Sequence, residues 1–478
     1  MSKKTKAICL ENFSSTATLA NNEVIVPVGS QDTLNEKDYD PYEHRNVLHP
    51  NTYFGALVHL LKCSLGTGIL AIPRAFKASG LAVGVVGTVF IGILCTYTIH
   101  ILMVASLKMC KLTKKPGLDF SETIFEIVKH GPKGCRKYAR SAKIFVESGL
   151  LLSYYVGGSV YIVFISTSIK QLMDYLYPEL IEYSDRWYMV IIMVLLIIFC
   201  QVRELKHMVP FSFTANAMMV IAFGITLYYI FLRIDNVDFK EIKMVGNLTG
   251  MPVFFSTVMF AMEGKTIKKI FKKYYIYFLG IGSIFPLENT MIKPQFLGCF
   301  GVLNVTMTLI TIMYLCMGFF GYLAFGEVTE ATITKNLPVE EVVAQVAKWC
   351  ISLAVFFTFM LMFYVPIDIT WRKISGHISE KRHNLSQFSL RTGIVIFATC
   401  IAIFAGEHLG PLIELVGAIF LSTLGLMVPA IMDTLINWDN LGCFYWKFWK
   451  NLVISIFGLF GAVAGSYYAI LSMVNEES

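Results

Sequence analysis

Apolar stretches of about twenty residues recur along nearly the whole 478-residue chain, and a helix needs about that many to cross the hydrocarbon core of a bilayer. On that ruler, spans fall near 52–74, 80–106, 139–170, 187–202, 209–232, 252–291, 297–324, 341–367, 390–406, 409–432 and 450–474, about eleven in all. Only 15% of the residues are charged and 55% are hydrophobic, with a mean hydropathy of +0.62, whereas a soluble domain is about a quarter charged. The expectation is an all-α membrane protein. Its transmembrane domain covers 52–474, after a largely disordered tail over 1–51 and before a short tail at 475–478. The first fifty residues hold no apolar core of the kind a cleavable signal peptide needs.

Loop charge sets the orientation, because cytoplasmic loops are enriched in Lys and Arg. The connection after the second span carries Lys108, Lys111, Lys114, Lys115, Lys129, Lys133, Arg136 and Lys137. Arg203 and Lys206 follow the fourth span, and Arg372, Lys373, Lys381 and Arg382 the eighth. The alternate connections are acidic or mixed: Asp174, Glu179, Glu182 and Asp185 in one, Glu327, Glu330, Glu340 and Glu341 in another. This places the N-terminus in the cytoplasm and the C-terminus outside or in a lumen. It also explains the net charge of +7 without any nucleic acid. Asn247, in the sequon Asn247-Leu248-Thr249, falls on the outer side as a glycosylation candidate. The eleven cysteines contain no CxxC pair, and none falls in an outward loop, so no outer disulfide is expected.

The first span is not a plain helix. His59–Pro73 reads HLLKCSLGTGILAIP, with polar Ser64 followed by Gly66, Thr67 and Gly68. Glycine weakens a helix interior, and irregular backbone inside a membrane is tolerated only where protein buries it or where it lines a wet cavity. The stretch therefore reads as an unwound segment whose bare N–H and C=O groups face a ligand, or else as a close helix–helix contact. Transporters built from inverted repeats interrupt the corresponding helix of each half. With five helices per repeat, the second interruption belongs in the sixth span, where Glu263-Gly264 follows PVFFSTVMFAM. A mid-membrane glutamate is a functional candidate by default; the bland reading pairs it with a lysine on a neighbouring helix.

Five stretches resemble a known family: DYDPYEHR at 38–45, HPNTYFGALVHLLKCSLGTGILAIPRAFKASGL at 49–81, FFSTVMFAMEG at 254–264, PLENTM at 286–291 and GYLAFG at 321–326. As a set they are similar to the proton-coupled amino-acid transporters of the amino acid/auxin permease superfamily, and within it to the insect-type branch. The resemblance implies a LeuT-type fold, a 5+5 inverted repeat plus one extra helix, that carries small neutral amino acids with protons. It implies proton coupling at His59, a substrate carboxylate against the backbone of Gly66–Gly68, and Glu263 and Gly264 lining the sixth-helix break.

One segment departs from the family. KTIKKIFKKYYIYFLG at 265–280 puts Lys265, Lys268, Lys269, Lys272 and Lys273 in mid-span. Each costs about 2.5–3.5 kcal/mol near the bilayer centre before snorkelling and water defects relieve it. Removing 265–280 restores FAMEGIGSIFPLENTM, a span of ordinary length. Gly-Lys at one junction and Phe-Leu-Gly at the other fit translated splice-donor and acceptor sequences in one phase. The expectation is a retained intron; the rival is a genuine isoform with a dead or regulatory sixth helix.

The chemistry expected is binding and translocation. Helix-end N–H groups at the first break would hold a carboxylate, and carbonyls at the second an ammonium. Ser64 and Thr67 join the first break, Tyr154 and Tyr155 of the third span are candidates to close the pocket, and Glu263 shares proton coupling with His59. Histidine titrates between pH 5 and 8, so no cofactor is expected beyond the proton itself. No obvious charge matches an ionised substrate side chain, which favours alanine, glycine and proline. No nucleophile–base arrangement, phosphate loop or metal spacing suggests an enzyme. The expected partners are small neutral amino acids, protons and lipid, for a monomer in the plasma or lysosomal membrane. Two other readings stay open: an amino-acid sensor acting through its tail, and a pH-independent exchanger.

Overall fold

The computed structural model describes residues 39–45, 50–64, 66–202, 209–234, 242–262, 281–291 and 293–475. From Pro41 onward the chain is one unit of helices. In order these are α1 Tyr53–Ser64, α2 Gly68–Ser79, α3 Leu81–Thr113, α4 Phe120–His130, α5 Ala139–Leu176, α6 Asp185–Phe199, α7 Val209–Ile234, α8 Gly250–Met262, α9 Ile281–Asn289, α10 Val302–Phe325, α11 Val342–Ser375, α12 His383–Ala405, α13 Leu409–Val416, α14 Val428–Ile436 and α15 Trp446–Asn475. A π-helical stretch, Gly417–Met427, joins α13 to α14.

The expected all-α membrane architecture is present. Among the described residues, 8 helices are long and apolar enough to cross a bilayer. The remaining expected spans correspond to shorter pieces: α1 with α2, α6, and α8 with α9. Several spans run past their expected ends, α3 to Thr113 and α5 to Leu176, because helix geometry continues into polar residues beyond the apolar run. The expected elements at Glu263, Gly264, 265–280 and Arg203–Lys206 lie outside the described residues.

The bundle has two chemically distinct ends. The basic end carries the 113–138 connection, where α4 lies with an apolar face buried. Asp119 accepts from the Glu122 backbone N–H at 2.7 Å and Glu122 reaches back to Asp119, a capping box that fixes the start of α4. The acidic end carries the 177–184 and 326–341 connections.

At the acidic end the turn from α2 into α3 is tight. Gly80 sits at φ +81, and a Cβ there would stand 2.6 Å from the backbone nitrogen of Gly246. Backbone pairs Leu81 N–H to Lys243 C=O at 2.9 Å and Gly246 N–H to Ser79 C=O at 2.7 Å stitch this turn to the chain entering α8. The turn therefore holds α2 beside α8.

Candidate functional site

The first span is interrupted where its glycines fall. α1 ends at Ser64, and α2 begins at Gly68 with no side chain capping it. The first N–H groups of a helix have no intrahelical partner, so the start of α2 presents donors within the bundle. Thr67 is buried, and its carbonyl accepts from Leu70 N–H at 3.2 Å.

The two glycines have different jobs. A Cβ on Gly68 would lie 2.7 Å from the Cα of Ala261 in α8, so this position is a close helix–helix contact that any side chain would force apart. A Cβ on Gly66 would meet nothing within 4 Å among the described residues. The break thus combines one tight contact, which fixes α2 on α8, with an open face beside it.

The α8 side of this contact is held from a third helix. The Tyr314 hydroxyl of α10 donates to the Ala261 carbonyl at 2.6 Å, and Tyr314 is fully buried. Gly68, Ala261 and Tyr314 therefore tie α2, α8 and α10 at one level. Behind α8 lies the π stretch, with Gly417 against the Ser256 carbonyl. π-helical turns are rare and frequent at functional sites. No sequence feature used above signalled this one.

Other expected residues fall as follows. His59 is half-buried on α1. Ser64 closes α1. Tyr154 is buried in α5. Its neighbour Tyr155 turns to α11, its hydroxyl 2.6 Å from the Thr370 hydroxyl and 3.3 Å from the Pro366 carbonyl. Asn247 is exposed, three residues before α8 begins.

Each end of the bundle holds a buried or half-buried ion pair that loop charge did not single out. At the basic end Arg45 is buried against Glu288, the last acid of α9, at 2.8 Å. Its other nitrogens donate to the carbonyls of Glu288 at 2.8 Å, Met291 at 2.9 Å and Pro116 at 3.0 Å. The Tyr42 hydroxyl adds 2.7 Å to the same carboxylate, and Arg45 lies over the Tyr42 ring. Asn51, just before α1, donates its backbone N–H to the Thr290 carbonyl at 3.0 Å. At the acidic end Arg74 of α2 meets Glu414 of α13 at 3.1 Å.

Electrostatics outside the spans follows burial. Burial pushes the Glu122 carboxyl up, and the Asp119 charge pushes the same way. For Glu126, burial alone acts upward, but the Lys115 hydrogen bond and the charges of Lys115, Lys129 and His130 bring it below the ordinary value. Burial lowers the Lys335 amine, against the opposing charges of Glu330, Asp185 and Glu407.

The model of a family described as transmembrane amino acid transporter protein matches residues 49–272 and 275–471. The chain is 37% identical over 451 residues to a Drosophila melanogaster protein named proton-coupled amino acid transporter-like protein pathetic, covering 94% of this chain and 91% of the relative. It is 26% identical over 437 residues to the Caenorhabditis elegans probable amino acid transporter skat-1, covering 88% and 90%. Among solved structures, inward-facing Mhp1 superposes with a TM-score of 0.48 at 13% identity, over 90% of this chain and 94% of that one. MhsT in complex with L-phenylalanine gives 0.48 at 12% identity, over 87% and 98%.

Proposed function

We propose a transport function on one premise: the chain belongs to the family of transmembrane amino acid transporter proteins. It is a secondary transporter that symports protons with small neutral amino acids. The observation that carries this reading is the first break: an uncapped helix start at Gly68, clamped to Ala261, with no described residue within 4 Å of a Cβ at Gly66. Donors at a helix N-terminus suit a carboxylate, and the break supplies them without a charged side chain. A relative named as proton-coupled supports the proton as coupling ion.

In this reading the basic end faces the cytoplasm, as loop charge favours. The repeat is LeuT-type, with α1–α2 and α8–α9 as its two interrupted helices. The carrier works as a monomer in the plasma or lysosomal membrane. Arg45–Glu288 is the inner closure and Arg74–Glu414 the outer one. The amino acid binds with its carboxylate at the start of α2 and its ammonium toward the sixth-span break at Glu263 and Gly264. Ser64, Thr67, Tyr154 and Tyr155 shape the pocket. His59, with Glu263, takes the coupling proton, and Asn247 carries the glycan. Residues 265–280 come from a retained intron; the two family-matched stretches meet within them. cDNA that keeps these codons in every transcript overturns the intron.

The test is alanine- or proline-evoked current in expressing cells at external pH 5.5 and 7.5, with and without residues 265–280. Inward current at acidic pH from the shortened form alone supports symport and intron together. Silence from both forms at the cell surface overturns symport in favour of a sensor or exchanger. His59→Ala should abolish the pH drive; an unchanged pH profile removes His59 from the mechanism.

A further inference from the structure

Seven charged side chains among the described residues are deeply buried: Arg45, Glu126, Asp185, Glu288, Lys348, Arg391 and Glu414. Arg45 and Glu288 pair with each other, Glu414 with Arg74, Glu126 with Lys115 and Asp185 with Lys170. Arg391 donates to the carbonyls of Cys200 and Val202. Lys348 of α11 is different. It is 1% exposed, and its Nζ donates to a neutral group, the Gln171 side-chain oxygen of α5, at 2.9 Å. No described carboxylate lies within ion-pair distance of it.

We propose that Lys348 is a proton-binding residue of the transport cycle, taking up and releasing a proton beside the acidic-end connection that rests on α2. The proposal rests on the symport reading above. A buried ionisable side chain within a span is costly and functional by default. A guanidinium keeps its proton in such a place, whereas an amine can give its proton up. Gln171 is held in a fixed orientation, because its amide nitrogen donates to the Lys335 carbonyl at 3.0 Å and so leaves its oxygen for Lys348. Lys335 belongs to the Ile333–Asn336 turn, which packs on α2, the helix that starts at the first break. A proton on Lys348 therefore strengthens a chain of contacts running α11, Gln171, the 333–336 turn and α2. Its loss to water slackens that chain. The step moves one proton between water and the amine lone pair and needs no co-reactant.

The elements around Lys348 bring other charges. Helix α7 carries Tyr229 and Arg233, α5 carries Lys170 and Asp174, and α6 carries Asp185. The 333–341 connection carries Lys335, Glu340 and Glu341, and Glu407 follows α12. Glu340 attracts the Lys348 charge and Lys335 repels it. Glu341 is taken by the Tyr229 hydroxyl at 2.6 Å, and Lys170 by Asp174 and Asp185.

The experiment uses the chain without residues 265–280, the form expected to carry substrate, in proteoliposomes, with radiolabelled alanine, under imposed pH gradients and in counterflow at equal pH. One-to-one coupling gives the wild type about tenfold accumulation per pH unit of gradient. Lys348→Met should keep counterflow and lose gradient-driven accumulation, with a ratio near one. Gln171→Glu, which gives the amine a carboxylate, should shift the pH dependence of uptake to higher pH. Gradient-driven accumulation by Lys348→Met with the wild-type profile overturns the proposal. If that variant does not fold, an unshifted profile for Gln171→Glu overturns it instead. A wild type that exchanges alanine but ignores the gradient removes symport itself, and Lys348 with it; that result differs because wild type and variant then behave alike.

Discussion

If Arg45–Glu288 is the inner closure, replacing Arg45 with alanine removes the guanidinium that holds the basic end shut. Glu288 stays buried, its side chain 4% exposed, with the Tyr42 hydroxyl still on it. Breaking a buried ion pair by deleting one partner costs about 3–5 kcal/mol, because the survivor is left uncompensated. Once this end opens, water reaches Glu288 and most of that cost is relieved, so it falls on the closed state. At about 1.4 kcal/mol per decade, the closed-to-open ratio should drop by roughly two to three and a half decades. The assay is labelling of a cysteine at Gly66, where a side chain meets nothing within 4 Å, in a background with Cys135, Cys299 and Cys443 replaced by serine. A membrane-impermeant thiol reagent applied from the basic face should react far faster in Arg45→Ala than in the parent. Glu288→Gln, which keeps the shape and loses the charge, should give a smaller rise. Equal labelling rates in all three would mean that the pair is a static brace and closes nothing.

Three further outcomes follow from the same geometry. Gly68→Ala puts a Cβ 2.7 Å from the Ala261 backbone; overpacking of this kind costs about 1–3 kcal/mol, so KM for alanine should rise about five- to hundredfold while surface expression holds, and an unchanged KM would detach this contact from substrate binding. Tyr314→Phe leaves the Ala261 carbonyl without its hydroxyl donor at a cost of about 1–3 kcal/mol, which should appear as a lower thermal midpoint in detergent and a weakened substrate affinity. Glu126 sits below its ordinary value of 4.5, so its contribution is present above that pH and is lost as pH falls through the lowered value; hydrogen exchange across 115–130 should accelerate only below pH 4.5, and acceleration beginning near neutrality would assign the stability of α4 to other groups.

The sequence exposed what depends on local chemistry. Gly66-Thr67-Gly68 interrupts the first helix because two residues without side chains adjoin there, and that signal needs no partner. Apolar run length located the long helices, and Lys and Arg in the loops separated the two ends. The sequence was silent where meaning comes from a distant partner. Gly68 reads as an unwinding residue, yet its tight contact is with Ala261, 193 positions away by the difference of their numbers. The Tyr155 hydroxyl goes to Thr370, a pairing set by how α5 meets α11 and not readable from the third span alone. A rule already in use had the power to find the basic-end closure: Glu288 is an acid at the end of an apolar stretch, and Arg45 is a cation in a second motif of unexplained polarity. Asking each such charge for its partner would have joined them.

The two closures differ in construction, and the difference has a direction. Arg45 is 2% exposed and is bound by a carboxylate and three backbone carbonyls at once. Opening the basic end must break all of these contacts together and rehydrate both charges. Arg74 is 24% exposed, and its contact with Glu414 is a single one through Nε. Water reaches the Arg74 side of that pair, while Glu414 stays buried at 1% exposed. Releasing Arg74 from Glu414 breaks fewer contacts than releasing Arg45. In the symport reading, bound substrate and proton meet the cost of releasing Arg45. Coupling is then a matter of which closure the ligands reach. On the proposed reading, substrate at the start of α2 would act on the helix that carries Arg74, while α1 and the chain just before it lead to Asn51 and Arg45.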